Sequence, residues 1–311
     1  MTPREIIAEA WAITTREKTL WRWGFAGALF ETLLDVKLLG YQVYFLYKYL
    51  SGQGMAGFFD VEILLFEHLP LWASISIITF FTLLIIVEWF FPHIASGAVI
   101  GLAAKAHRKE PLKGGLVLGL YNFLPIFAIH ELFVLSSWSL AVTSCSLIAR
   151  YVGGDAGFVG IIGVVSIFVI SNILKFFSSF AEEGVVIRKE GIFTAIGRSN
   201  KLIISYLGHI MFLLLLLLVI SVRILINTVV LIVVPAIAIV IGVLLASFLS
   251  PALSYTIATV IGLVLIVLAS YFFAYLHVFR QTVWTLAYLE LSEKKDLDYI
   301  LADGPAPSES H

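Results

Sequence analysis

Charge is what this chain lacks. Between Lys201 and Arg280 the only formally charged side chain is Arg223, and so long an uncharged run is stable only where water is absent. At about 1.5 Å of rise per residue it supplies on the order of 115 Å of helix against a hydrocarbon core of roughly 30 Å, so it crosses or enters a bilayer about three times. Charged residues are 13% of the 311 and hydrophobic ones 60%, with a mean hydropathy of +1.00, whereas soluble domains are roughly a quarter charged. No soluble core hides that much apolar surface. A positive excess is also missing: the net charge is −1, and without a clustered basic face nucleic acid is excluded as a partner. Cysteine is reduced to Cys145, which rules out an internal disulfide, and its apolar neighbours argue against a thiol nucleophile. A cleavable-signal pattern is absent as well, because Arg4, Glu5, Glu9, Arg16, Glu17, Lys18 and Arg22 precede any apolar core; the expectation is insertion, not secretion.

What is present organises as helices. Ile6, Ile7, Ala10, Trp11 and Ile13 recur at helical spacing, which predicts an amphipathic helix over residues 1–20 lying on the membrane surface. The expected spans are Trp23–Tyr47, interrupted by Glu31, Asp35 and Lys37; Leu69–Phe91, ended by Pro92; one within Gly114–Tyr151, with a kink or short interfacial helix near Ser136, Ser137 and Ser139; Phe158–Phe180; Ile203–Val222; and Ala252–Leu276. Thr228–Leu249, which holds Pro235 and Gly242, reads as re-entrant, since irregular backbone at that depth survives only under cover of other helices. The architecture is an all-α, polytopic bundle of about six spans, with a single integral membrane domain over 1–291 and a polar cytoplasmic tail over 292–311.

Lys and Arg in short loops set the orientation. The N-terminal segment, the loop with Lys105, Arg108, Lys109 and Lys113, and the loop with Arg188, Lys189, Arg198 and Lys201 are basic and are expected in the cytoplasm. The Ser51–His68 stretch, with Asp60, Glu62 and Glu67 but no Lys or Arg, is expected outside. A weak internal repeat relates 69–136 to 158–226: Phe90-Phe91 and Phe176-Phe177 each lead from a span into a basic loop. Val99, Leu102, Ala103 and Ala106 in one copy, and Ile192, Ala195 and Ile196 in the other, predict two amphipathic elbow helices at the cytoplasmic face.

The run Ala10, Trp11, Ile13, Thr14, Lys18, Leu20, Trp21, Gly24 resembles the opening of a group of poorly characterised prokaryotic polytopic proteins related to the membrane domain of glycerophosphodiester phosphodiesterases. Glu183-Gly184 followed by Ala195, Ile196, Arg198, Ser199 and Leu202 is similar to that group's acidic-glycine turn and Arg-Ser motif, and Thr285–Glu290 to its last-helix exit. Asn200 stands where the group tends to have an aromatic residue, and Glu290 lacks the usual nearby Arg. The resemblance implies a six-span bundle in the prokaryotic cytoplasmic (inner) membrane with both termini cytoplasmic. It implies no catalysis, because the soluble phosphodiesterase barrel is missing.

Charged residues within spans are the functional candidates, since each costs roughly 2.5–3.5 kcal/mol on insertion scales unless it is paired or reaches water. Glu88 and Lys175 sit at matching places before the repeated Phe pairs and are expected either to pair or to snorkel separately. Glu131 and Arg223 form a second such pair. Glu31 and Asp35, four apart, share a helix face with Lys37 nearby; they line a polar cavity, or else their segment is an oblique interfacial helix with its charges in water. His68, His93, His107, His130, His209 and His277 are scattered without an HExxH pair, so no metal site, cofactor or enzymatic constellation is expected. Two functions follow. One is a non-enzymatic protein that organises or senses lipids or membrane partners, with Lys105, Arg108, Lys109, Arg188, Lys189, Arg198 and Lys201 against anionic headgroups. The other is a permease or channel lined by Glu31, Asp35 and Lys37.

Overall fold

The computed structural model describes residues 1–51, 63, 66–152 and 154–294, and for Arg223 and most of its neighbours the backbone alone. Asp60 and Glu62 of the expected outer loop, and the tail beyond Lys294, lie outside the described residues. All regular structure described is helical: α1 (Pro3–Arg16), α2 (Lys18–Leu50), α3 (Leu71–His107), α4 (Gly115–Leu132), a 3-10 turn (Val134–Ser136), α5 (Trp138–Tyr151), α6 (Gly154–Phe177), α7 (Ala181–Arg188), α8 (Ile192–Ser205), α9 (Leu207–Ala246) and α10 (Pro251–Lys294). Among the described residues four helices, Leu71–His107, Gly115–Leu132, Gly154–Arg188 and Thr256–Glu293, are long and apolar enough to cross a membrane. A fifth joins them if Ile192–Ser205 and Leu207–Leu216, bent by 90°, count as one.

The well-packed core lies at one end of the bundle. Ile6, Ala10 and Ile13 of α1, Leu20 of α2, Val99, Leu102 and Ala103 of α3, and Val283, Leu286 and Tyr288 of α10 form one buried cluster. Toward the other end the helices turn large apolar side chains outward, among them Trp72, Phe80, Leu83, Phe158 and Val159. Burial is not needed there, because lipid tails are as apolar as the side chains themselves. At its start α1 is closed by a capping box: Thr2 Oγ1 accepts the Glu5 N–H at 3.4 Å, and Glu5 accepts the Thr2 N–H at 2.7 Å. That backbone hydrogen bond holds the Glu5 carboxyl below its ordinary pKa of 4.5.

Several expectations are corrected. Of the apolar face of α1, Ile6, Ala10 and Ile13 pack on protein, while Trp11 is 54% exposed. Pro92 does not end its span: α3 runs through it to His107, since a proline removes one helical hydrogen bond and neighbouring helices compensate. The first elbow is therefore not a separate helix, and Val99, Leu102, Ala103 and Ala106 are core residues of α3. Small side chains make this possible, because Gly97 of α3 and Gly119 of α4 let the two backbones approach closely. Likewise Thr228–Leu249 is no re-entrant element, for α9 is helical from Leu207 to Ala246 across Pro235. The break near Ser136–Ser139 is present as the 3-10 turn and the start of α5. At the second elbow α7 and α8 are distinct helices. Arg108-Lys109-Glu110 and Arg188-Lys189-Glu190 also repeat in conformation, with both lysines left-handed at φ 58°.

Candidate functional site

Halfway along the bundle, packing gives way to a polar cavity of about 360 Å³ bounded by α2, α3, α4, α5, α6, α7 and α10. Helix geometry sets who faces it. Glu31, Asp35 and Leu38 come from one face of α2, Glu88, Pro92 and Ser96 from one face of α3, and His277, Arg280 and Gln281 from one turn of α10. Two elements break at this level. The chain from α4 to α5 is interrupted at Phe133–Ser137, and Val134, Ser137 and Ser139 line the cavity. The chain from α6 to α7 is interrupted at Ser178–Phe180, where Ser199 of α8 bridges the gap: its hydroxyl accepts the Phe180 N–H at 3.0 Å and donates to the Phe177 carbonyl at 2.8 Å. Beside this second break lies a further cavity of about 440 Å³, which reaches Asn172, Leu214 and Leu218 and shares His130, Lys175, Glu182, Arg280 and Gln281 with the first.

The expected intramembrane residues meet here with one exchange of partners. Glu88 is completely buried and is held by Lys37, not Lys175: Lys37 Nζ donates to both carboxylate oxygens at 2.7 and 2.8 Å. Proximity across the α2–α3 contact decides this, and Lys37 also rests 5.5 Å from the centre of the Phe81 ring. Glu131 accepts the Trp89 indole N–H at 2.9 Å; the side chain of Arg223, its expected partner, lies outside the described residues. Glu31 and Asp35 face the cavity. Lys175 lines both cavities and, among the described residues, has no ion-pair partner within 4 Å; Glu182, Arg280 and Glu31 are its charged neighbours. Glu31, Lys175 and Arg280 remain exposed, and all three line the cavity.

Sequence reasoning named neither Arg280 nor Glu182 as a site residue and read His93, His130 and His277 as scattered. His93 and His130 meet at a tilt with ring centres 4.5 Å apart, and His277 contributes a buried ring nitrogen, Nε2, with no hydrogen-bond partner among the described residues. Lys175 lies in the last turn of α6 and Glu182 in the first turn of α7, so the break between them, and not helical spacing, brings both to the cavity. Behind the cavity Glu183 is fully buried and accepts from Gln281 at 2.9 Å. Among the described residues no group of three or more His, Cys, Asp or Glu is placed to hold a metal ion.

The basic residues expected at headgroups are partly engaged within the protein. Arg198 pairs with Glu190, their side chains 11% and 10% exposed. Lys189 donates to Asn122 at 3.0 Å, Arg188 to the Ser292 carbonyl at 3.3 Å, and Lys105 to the Lys113 carbonyl at 3.1 Å. Lys201 is half-buried; Arg108 and Lys109 are exposed. No family model matches the chain, and neither does any curated protein or solved structure. The resemblance to phosphodiesterase membrane domains rests on its short motifs alone.

Proposed function

We propose that this chain is a permease of the cytoplasmic membrane, a bundle of about six spans with cytoplasmic termini, whose substrate passes through the cavity at Glu31, Asp35, Lys175 and Arg280. The observation that carries the reading is that Glu31, Lys175 and Arg280, from three different helices, are exposed and line one cavity enclosed within the bundle. A charge at such a place faces either hydrocarbon, at roughly 2.5–3.5 kcal/mol each on insertion scales, or water, and the cavity supplies the water. The two broken elements beside it add support, because discontinuous helices around a central site are the usual construction of secondary transporters. An organiser of lipids through basic elbows draws less support, since Arg198 and Lys189 are committed to Glu190 and Asn122.

The test is thiol accessibility in intact membranes. On a Cys145→Ser background, Glu31→Cys, Asp35→Cys and Arg280→Cys are treated with a membrane-impermeant thiol reagent, with Ile170→Cys on the outer face of α6 as the lipid-facing control. Labelling at 31 and 280 with protection at 170 is the expected result. Protection at all four positions removes the permease reading.

A further inference from the structure

Two carboxyl groups follow one another at the start of α7 and meet different surroundings. Glu182 lines both cavities, with Lys175 and Arg280 as charged neighbours. Glu183 borders the second cavity yet exposes no surface to it. Gln281 Nε2 donates to Glu183 Oε1 at 2.9 Å, and Gln281 itself lines both cavities. Among the described residues Glu183 Oε2 is buried with no hydrogen-bond partner, and no Lys, Arg or His nitrogen lies within 4 Å of the carboxyl. The elements around α7 bring no compensating charge to it. His130 of α4, Lys175 of α6 and Arg280 of α10 stand in the cavity wall beyond that distance, Glu190 and Arg198 pair with each other, and Arg188 is turned to the Ser292 carbonyl. Tyr288 of α10, beside Gly184, is an uncharged phenol. On the remaining sides α3 meets α7 through Ile100, clustered with Val186, and α9 contributes Leu214 and Leu218. A buried carboxylate with no partner charge is too costly to persist, and such a group takes up a proton instead. The acid form suits this place, with Oε1 accepting from Gln281 and Oε2 carrying the proton.

We infer that Glu183 is the site of a coupling proton, and that transport through the cavity is driven by proton movement across this carboxyl. The inference rests on the permease reading above and names its coupling ion. A proton from water on one side of the membrane adds to the Glu183 carboxylate, crosses as part of the neutral acid while the group is shut off from the cavities as it is here, and leaves to water on the other side as the carboxylate forms again. Carboxyl groups buried within spans are characteristic of such proton paths. Gln281 supplies the link to the cavity, because it is both the donor to Glu183 and a member of both cavity walls. A cavity ligand that draws Gln281 away removes the hydrogen bond that Glu183 accepts and so changes its hold on the proton. By linkage the proton changes the hold on the ligand to the same extent.

Infrared spectroscopy of the full chain in liposomes reads this proton directly. The carbonyl stretch of protonated carboxylic acids should contain, at neutral pH, a component that is lost in Glu183→Gln and moves to higher frequency in Gln281→Leu, where its hydrogen bond is gone. The second readout is the rate of thiol labelling at Glu31→Cys on the Cys145→Ser background, corrected with a free-thiol standard. That rate should vary with pH while Glu183 is present and lose the variation in Glu183→Gln, since a proton shifts the balance between two states only where it binds them unequally. Absence of the Glu183 component, or a pH dependence that survives Glu183→Gln, overturns the inference. A Glu183 component without any pH dependence of labelling makes the residue a structural acid and overturns the coupling as well. Should Glu183→Gln fail to fold, Glu183→Asp keeps the acid and takes its place: the component should shift and the midpoint of the pH dependence move with it, and an unmoved midpoint is fatal. Each of these failures leaves the permease reading standing as long as position 31 is labelled, whereas protection there at every pH removes that reading.

Discussion

Replacing Lys37 by methionine removes the one cation that, among the described residues, holds Glu88. The carboxylate is fully buried and receives both of its hydrogen bonds from Lys37, at 2.7 and 2.8 Å. Lys37→Met keeps the length of the side chain and most of its packing, so the loss is that of the partner charge. A buried pair broken on one side costs about 3–5 kcal/mol, which lowers the unfolding midpoint by on the order of 6–15 °C. Glu88→Gln is expected to be milder, about 1–2 kcal/mol, because the lysine left behind is 23% exposed and its amine reaches more polar surroundings. The double variant removes both charges and should lie closer to the parent than Lys37→Met does, giving a coupling energy of about 2–4 kcal/mol across the cycle. Thermal unfolding of the three variants in one detergent measures it. A coupling below about 0.6 kcal/mol, the average for interhelical polar pairs in a membrane protein, refutes the argument that this pair fastens α2 to α3.

Gly119→Ala should destabilise the α3–α4 contact by about 1–3 kcal/mol, because its new methyl would stand 2.5 Å from the Ile94 carbonyl oxygen. Gly163→Ala, with nothing within 4 Å, should leave the melting temperature unchanged or slightly raised, and equal effects at the two sites would refute the packing account. Ser199→Ala orphans the Phe180 N–H and the Phe177 carbonyl at the α6–α7 break, at about 1–3 kcal/mol for each buried group left unpaired. Hydrogen exchange should show the break opening first, and unchanged protection at Phe180 would count against the bridge.

The pattern of burial explains which features were legible. The break near Ser136 could be read in advance because serines interrupt an apolar block longer than one crossing needs. Pro92 misled, because a proline within a helix looks the same in sequence whether the helix ends or is held by neighbours, and it is Gly97 and Gly119 that hold α3 and α4 together. Pro235 misled for the same reason. The partner of Glu88 was misjudged because the repeat suggested a match by sequence position, whereas the α2–α3 packing brings Lys37 within hydrogen-bonding distance. Arg280 and Glu182 went unnoticed because each sits near a span end, where a charge ordinarily needs no explanation.

Composition alone determined the solvent of this protein: with 13% charged residues and an almost uncharged run from Lys201 to Arg280, only hydrocarbon accommodates the chain as helix, since every backbone polar group is then satisfied within its own segment. Which charges meet was decided by tertiary structure. Glu31, Lys175 and Arg280 belong to three helices far apart in sequence, and each is locally no more than an isolated polar residue. Their common cavity exists because a helix presents one face in each direction, and only the packing of α2, α6 and α10 determines which faces turn toward one another.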